Sequence, residues 1–330
     1  MKRNIYLLIG LATTLLFCAC DDRQQVVSDD EILIENGRIR IPAGCGDDSK
    51  PAFYNKAWRF NDNDTVWVNN KREPVFPFSR RLKAHIWADV DPNNIYKALF
   101  PAVAYADTIL NFEAPTVQLY PRVRVMPRTV ADTVNPGSSV DRRVIPMTAY
   151  LFNPDPKSYS RFYFRNTMSL VGPKFLYGEL FGERMMDFVG TDQLEFPPIE
   201  IDSIAIEAKD GHPLWGDGYV SNPFTNDPTV VIPHVAGHQR VTYFGNFETL
   251  IINTSPTRDA VPNSYLPIIP TEGKFIIYVY FHCTFEDIGT RRFCYTKEST
   301  YPITFPRSAI LNTNILMDSQ ADFNNYVTVL

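Results

Sequence analysis

The sequence predicts an all-β protein built as two β-sandwiches in tandem. Aromatic residues make up 13% of the 330-residue chain and there are 26 prolines, a balance that suits short strands and punctuated turns better than long helices. Extended alanine-leucine-glutamate-lysine periodicities are absent. Short β-patterned stretches alternate with turn-forming clusters such as Asn61–Asp64, Asp89–Asn94 and Asp132–Ser139. That spacing belongs to sandwiches, not to a parallel sheet wrapped in helices.

The first element is the clearest. In Glu31-Ile-Leu-Ile-Glu-Asn-Gly-Arg-Ile-Arg-Ile41, Asn36-Gly37 accepts the positive φ angles of a tight hairpin turn. That register sets Ile34 against Ile39, Ile32 against Ile41 and Glu35 against Arg38. One face is then all isoleucine, and the other is mostly charged apart from Leu33. The same stretch also reads as one long strand bent at Asn36-Gly37. Further strands are expected at Thr65–Val68, Arg81–Trp87, Thr116–Val125 and Ala149–Phe152. A second series follows at Arg161–Arg165, Ile199–Ala208, around Tyr219, Thr229–Ile232, Val241–Asn246 and Leu250–Asn253. The last are Lys274–Phe285, Phe293–Thr296, Tyr301–Phe305, Ala309–Met317 and Tyr326–Leu330. Gly172–Gly190 has room for one short helix. The cluster Asn153-Pro154-Asp155-Pro156 is the best linker, dividing an N-terminal sandwich (31–155) from a C-terminal one (156–330).

The chain begins with Lys2 and Arg3 ahead of a short apolar run, Tyr6–Phe17. The run is too short for a lasting membrane span and reads as a removable signal segment, residues 1–19. Leu16-Phe17-Cys18-Ala19-Cys20 resembles a bacterial lipobox, with Phe17 an atypical occupant, so Cys20 is expected to become the lipid-bearing first residue. An ordinary secretory signal with incidental cysteines is the alternative. Residues 20–30 are polar and acidic, a flexible tether. Losing Lys2 and Arg3 makes the mature chain two units more negative than the full-length −5. No basic block remains, which disfavours nucleic acid.

Catalytic and metal-binding motifs are not found, and no cofactor is expected. His234 and His238 sit four apart, but Pro233 and Gly237 argue for a loop and no carboxylate completes a ligand set. Asp89–Asn94 starts like a calcium loop and lacks its glycine and closing glutamate. There is no Gly-x-Ser-x-Gly and no phosphate-cradling glycine loop. Carboxylates for sugar hydrolysis are too many for any pair to be nominated, so the expectation is a non-enzyme. Trp58, Trp67, Trp87 and Trp215, with the many tyrosines, could build a sugar-stacking platform, although strand-borne aromatics more often fill a core. Cys283 and Cys294 lie in facing halves of a hairpin. Pairing across Ile288-Gly289 would oppose them as disulfide candidates, the alternative being two buried thiols. Cys45 has no local partner.

Several phrases in order resemble the fimbrillin-like lipoproteins of Bacteroidota, the type V pilin superfamily. They are Trp58-Arg-Phe-Asn-Asp with Val66-Trp-Val-Asn69, Tyr96-Lys-Ala-Leu-Phe-Pro-Ala102, and Pro146-Met-Thr-Ala-Tyr150. Phe162–Val171, Ile201-Asp-Ser-Ile-Ala-Ile206 with Leu214-Trp-Gly216, and Tyr265–Pro270 before Phe275-Ile-Ile-Tyr-Val279 follow. The resemblance spans residues 58–280, and the family's C-terminal donor segment is only loosely matched by Leu311–Met317 and Tyr326–Leu330.

The resemblance implies transthyretin-like sandwiches and a precursor carried by its lipid to the outer membrane, exposed at the cell surface. It also implies a protease cut after an arginine that releases an N-terminal strand, whose place a neighbouring subunit's tail fills. Arg38 and Arg40 lie just beyond the candidate displaced strand Ile32-Leu33-Ile34-Glu35. They are placed for such a cut, or simply form the charged face of the hairpin. Acidic Asp21 and Asp22 resemble surface-export signals. Asp64-Thr-Val66, Asp107-Thr-Ile109, Asp132-Thr-Val134 and Asp202-Ser-Ile204 look like O-glycosylation sites of this phylum. The expected role is a fimbrial subunit or anchor that partners other subunits by strand exchange and supports adhesion. The alternative is a monomeric surface lipoprotein binding glycan or host protein.

Overall fold

The computed structural model describes residues 31–45, 60, 62–78, 83–125, 145–155, 160–177, 181–245, 247, 266–307, 310–317 and 327–330. The signal segment, Cys20, the tether, Trp58 and the expected strand at Leu250–Asn253 lie outside them.

The fold is all-β, and its first half is organised around a ring. The strands are β1 (Leu33–Glu35), β2 (Arg38–Cys45), β3 (Thr65–Val68), β4 (Lys71–Pro77), β5 (Lys83–Asp89), β6 (Ile95–Phe100), β7 (Thr116–Leu119), β8 (Arg122–Val125), β9 (Met147–Phe152) and β10 (Phe162–Asn166). The sheet order is β1-β2-β10-β9-β6-β3-β4-β5, and β2 also pairs with β5. The sheet therefore closes on itself like a flattened barrel. Two strands make the corners by changing partners along their length. Lys71–Pro74 of β4 pair with β3 while Val75–Pro77 pair with β5. The handover falls at Pro74, which has no N–H to give to a continuous ladder. In β10, Phe162–Phe164 pair in parallel with β2, and Arg165 and Asn166 pair with β9.

The ring draws one strand from beyond the expected linker at Asn153–Pro156. β10 lies beyond Pro156, yet it completes the first ring. Phe162 and Phe164 are buried there, Phe164 with its ring centroid 5.1 Å from Phe100, and Phe100 5.2 Å from Phe60. Each such ring contributes about 1.5–3 kcal/mol by leaving water.

The remaining strands are β11 (Ser169–Tyr177), β12 (Glu200–Ala208), β13 (Trp215–Ser221), β14 (Thr229–Val231), β15 (Gly237–His238), β16 (Arg240–Gly245), β17 (Leu266–Ile268), β18 (Thr271–Gly273), β19 (Phe275–Phe285), β20 (Gly289–Glu298), β21 (Ile303–Phe305), β22 (Ile310–Met317) and β23 (Val327–Val329). A six-stranded sheet runs β23-β20-β19-β12-β16-β8. Its last member comes from the first half of the chain, β8 lying parallel to β16. Likewise β7 pairs antiparallel with β13. The expected single strand Thr116–Val125 thus breaks at Tyr120-Pro121 and feeds two sheets. A cut between 155 and 156 does not separate the sheets.

The segment given room for one helix holds β11 and then α1 (Phe181–Val189), whose Phe181 and Met185, one turn apart, are buried. Gly190, at φ +71°, ends it in the left-handed conformation, with its N–H donating to the Met186 carbonyl at 2.9 Å.

Candidate functional site

The N-terminal hairpin forms in the expected register, Glu35 opposite Arg38, Ile34 opposite Ile39 and Leu33 opposite Arg40. Asn36 and Gly37 adopt φ of +50° and +74°, the paired positive values of a tight two-residue turn. Ile32, Ile39 and Ile41 are buried, whereas Ile34 is 54% exposed. The all-isoleucine face is therefore only partly covered. Its physical cause is position: among the described residues β1 is an edge strand bonded to β2 alone. Leu33 is half-buried and Glu35 exposed. Along β2, β5 occupies one flank from Arg38 to Gly44. The other flank is shared, β1 covering Arg38–Arg40 and β10 covering Ala43–Cys45.

The two candidate cleavage arginines are both engaged. Arg38 Nη2 lies 2.5 Å from Oε2 of Glu73 and donates to the Trp87 carbonyl at 2.7 Å. Its Nε is 3.7 Å from Asp89. Lys71 Nζ completes the cluster, 3.0 Å from Asp89 and 3.4 Å from Glu73. Its pKa is held up, first by the hydrogen bond to Asp89 and then by the charge of Glu73. Glu73 is only 4% exposed, so Arg38 neutralises a carboxylate that water barely reaches. Arg40 donates to the Glu31 carbonyl at 3.2 Å, tying β2 back to the residues before β1.

At the other terminus the tail is folded onto its own chain. β22 runs parallel to β11 over eight residue pairs, Leu170 with Ile310 through Tyr177 with Met317. β23 holds the edge of β20 by three, Phe293 with Val329, Cys294 with Thr328 and Tyr295 with Val327.

The hairpin β19–β20 differs from its expected register. Phe285 pairs with Gly289, which leaves a loop of Glu286, Asp287 and Ile288. Gly289, at φ +70°, supplies the left-handed residue that follows such a three-residue turn. Cys283 consequently faces Arg291, and Cys294 faces Tyr280. Both thiols are free and buried. Burial, with Glu200 nearby, pushes the Cys283 pKa up to about 12.

His234 falls in a short 3-10 turn, His234–Ala236, and His238 stacks on Trp215 with centroids 4.1 Å apart. Among the described residues no group of three or more His, Cys, Asp or Glu is placed to hold a metal ion, and no helix is long and apolar enough to cross a membrane. Trp67 and Trp215 pack against the core, and Trp87 is half-buried. Of the glycosylation-like triplets, Thr108 is exposed, Thr65 and Ser203 half-buried, and Thr133 lies outside the described residues.

Sequence reasoning missed one surface. On the β7–β13 pair, Gln118 faces Asp217 and Thr116 faces Tyr219. These four side chains, with Tyr120 just beyond, point outward, while Val117, Leu119 and Val220 are buried. The loop after β6 lies along the free side of β7, where Tyr105 bridges to Val117 and Ala106 N–H donates to the Thr116 carbonyl at 3.2 Å. Tyr105 anchors that loop, its buried hydroxyl donating to the Met147 carbonyl at 2.7 Å. Loop and strands border an open cavity of about 550 Å³ lined by Val103, Asp107, Gln118, Tyr120 and Asp217 among others. The period-two alternation in Thr116–Tyr120 was a readable signal for it.

No family model and no curated protein matches the chain. Solved structures are similar at low identity. A candidate cell adhesion protein from Bacteroides ovatus aligns with a TM-score of 0.46 and 9% identity, covering 88% of this chain and 94% of its own. Another, from Bacteroides fragilis, gives 0.41 and 8% over the same shares. A fimbrial protein from Bacteroides ovatus gives 0.28 and 11%, over 80% of this chain and 47% of its own. At these scores the likeness carries no functional argument.

Proposed function

We propose that this chain is a non-enzymatic subunit or anchor of a surface fimbria, exported as an outer-membrane lipoprotein through Cys20, with transthyretin-like sandwiches that join to like subunits by exchange of edge strands. The observation that carries the reading is β1. It is a three-residue strand that, among the described residues, is hydrogen-bonded on one side only, with an arginine immediately behind its turn. A strand so lightly held costs little to replace, and its removal would bare the edge of β2 at Arg38–Arg40 for another chain. β23, also short and at an edge, is the matching segment to donate, while the eight-pair ladder of β22 resists release.

The decisive test starts from purified precursor trimmed by trypsin. Fatty acid label should enter the wild type and not Cys20→Ala. The trimmed protein should form ladders that survive SDS, and a chain ending at Asn325 should not. A trimmed wild type that stays monomeric overturns strand exchange. A second reading, a monomeric surface binder of glycan, is favoured by the cavity beside β7.

A further inference from the structure

We infer that the outward face of β7 and β13, with the loop after β6, is a binding site for a short neutral oligosaccharide. The face alternates ring and polar groups in the manner such a ligand requires. Tyr219 and Tyr120 are 37% and 39% exposed, and the Gln118–Asp217 pair lies between them along the sheet. Tyrosine rings take the C–H faces of pyranoses, while carboxylate and amide oxygens accept from ring hydroxyls and the amide N–H donates. From the level of Tyr219 to one residue past Gly216 the sheet advances about 13 Å, room for a few linked rings.

The cavity lies within the usual range for small-molecule sites. Its walls are held in place by backbone bonding. Leu119 pairs with Gly216 on one side of β7, and Tyr105 bridges to Val117 on the other. Gly218 keeps the β13 backbone close to β14, since a Cβ there would meet the Val231 carbonyl oxygen at 2.5 Å. A preformed site of this kind spends little on ordering when it binds.

Charge selects among glycans. Asp107 and Asp217 are exposed in the lining, and among the described residues no ion pair engages either. Two uncompensated carboxylates repel sialylated or sulfated sugars and leave neutral ones unpenalised. The same carboxylates would attract a basic peptide, which the test includes as a competing ligand.

The experiment is calorimetric titration of the uncut full chain with cellotriose, mannotriose, N-acetylchitotriose and lacto-N-tetraose, beside sialyllactose and an oligolysine peptide. At least one neutral sugar should bind with a Kd at or below about 1 mM. Tyr120→Ala and Asp217→Asn should each weaken it by about tenfold or more at unchanged melting temperature. Tyr301→Ala, altering a 77% exposed tyrosine elsewhere, should leave it unchanged. The inference is overturned if no neutral sugar binds, if Tyr120→Ala binds as well as wild type, or if sialyllactose or oligolysine is preferred. Because the protein is uncut, this outcome is independent of strand exchange.

Discussion

Arg38 and Glu73 form a 2.5 Å ion pair that spans β2 and β4, at the root of the strand proposed to be displaced. The carboxylate is nearly sealed from water, so removing Arg38 leaves a poorly solvated charge with Lys71, at 3.4 Å, to neutralise it. Arg38 itself is 39% exposed at its side chain, which screens part of the cost. Arg38→Ala is expected to lower stability by about 1–3 kcal/mol. Arg40→Ala, whose losses include the bond to the exposed Glu31 carbonyl, should cost less than Arg38→Ala. Urea titration of the two variants checks the order, and equal losses would contradict it.

The same pair bears on proteolysis. A trypsin-like enzyme binds an extended, unpaired backbone and takes the arginine side chain into its own acidic pocket. Here Arg38 is held between two strands, opposite Glu35 of β1 and Asp89 of β5, and its guanidinium is on Glu73. Cleavage after Arg38 therefore needs local opening. Glu73→Gln removes the competing charge and should speed the cut at Arg38 severalfold under native conditions, measured as loss of the intact band. A rate unchanged within error would show that the pair does not restrain the site.

Local features were legible in the sequence and distant ones were not. Asn36-Gly37 announced its hairpin because the turn chemistry and alternating isoleucines sit within eleven residues, and its register follows from the turn. The β19–β20 register slipped because Gly289 serves as the residue after a three-residue loop and not as the second residue of a tight one. β4 was overlooked because Lys71-Arg72-Glu73-Pro74 reads as polar and broken, when it is a corner whose buried glutamate is neutralised from another strand. Nothing in Phe162–Asn166 reveals that it closes the first ring, since parallel pairing with β2 joins residues far apart in sequence. Tyr120, Gln118 and Asp217 went unremarked for the same reason, as the cavity exists only once β7 leaves its own half of the chain for β13.

That crossing of β7 and β8 can be tested at one atom. Gly245 ends β16 opposite Val125 of β8, at φ +132°. A Cβ there would lie 2.3 Å from the Val125 carbonyl oxygen, a rigid backbone atom in a conformation L side chains avoid. Gly245→Ala should therefore cost about 2–3 kcal/mol. Gly37→Ala, with nothing within 4 Å of its Cβ, pays only for its positive φ and should cost about 1 kcal/mol. If thermal unfolding ranks Gly37→Ala the more damaging, β8 does not lie against β16.

Alkaline pH should weaken the fold through groups that burial keeps protonated. The Cys283 thiol rises from 9.0 to about 12 in the folded chain, and burial also raises the phenols of Tyr105 and Tyr243. A raised folded pKa means the native state holds its proton where the unfolded chain has lost it. The resulting stability is whole below pH 9, where the unfolded thiol is protonated, and falls as pH climbs toward 12. Tyr105 and Tyr243 join from their unfolded value near 10, so the decline steepens there. Urea midpoints should be flat from pH 7 to 8.5 and then drop through pH 10.5. Cys283→Ala should start lower at neutral pH and fall less between pH 9 and 10 than wild type, because one of the groups that titrate in this range is gone. Native Cys283 should also resist alkylation by iodoacetamide at pH 8 and react once urea unfolds the chain; rapid labelling of the native protein at that position would mean the thiol is neither buried nor held protonated.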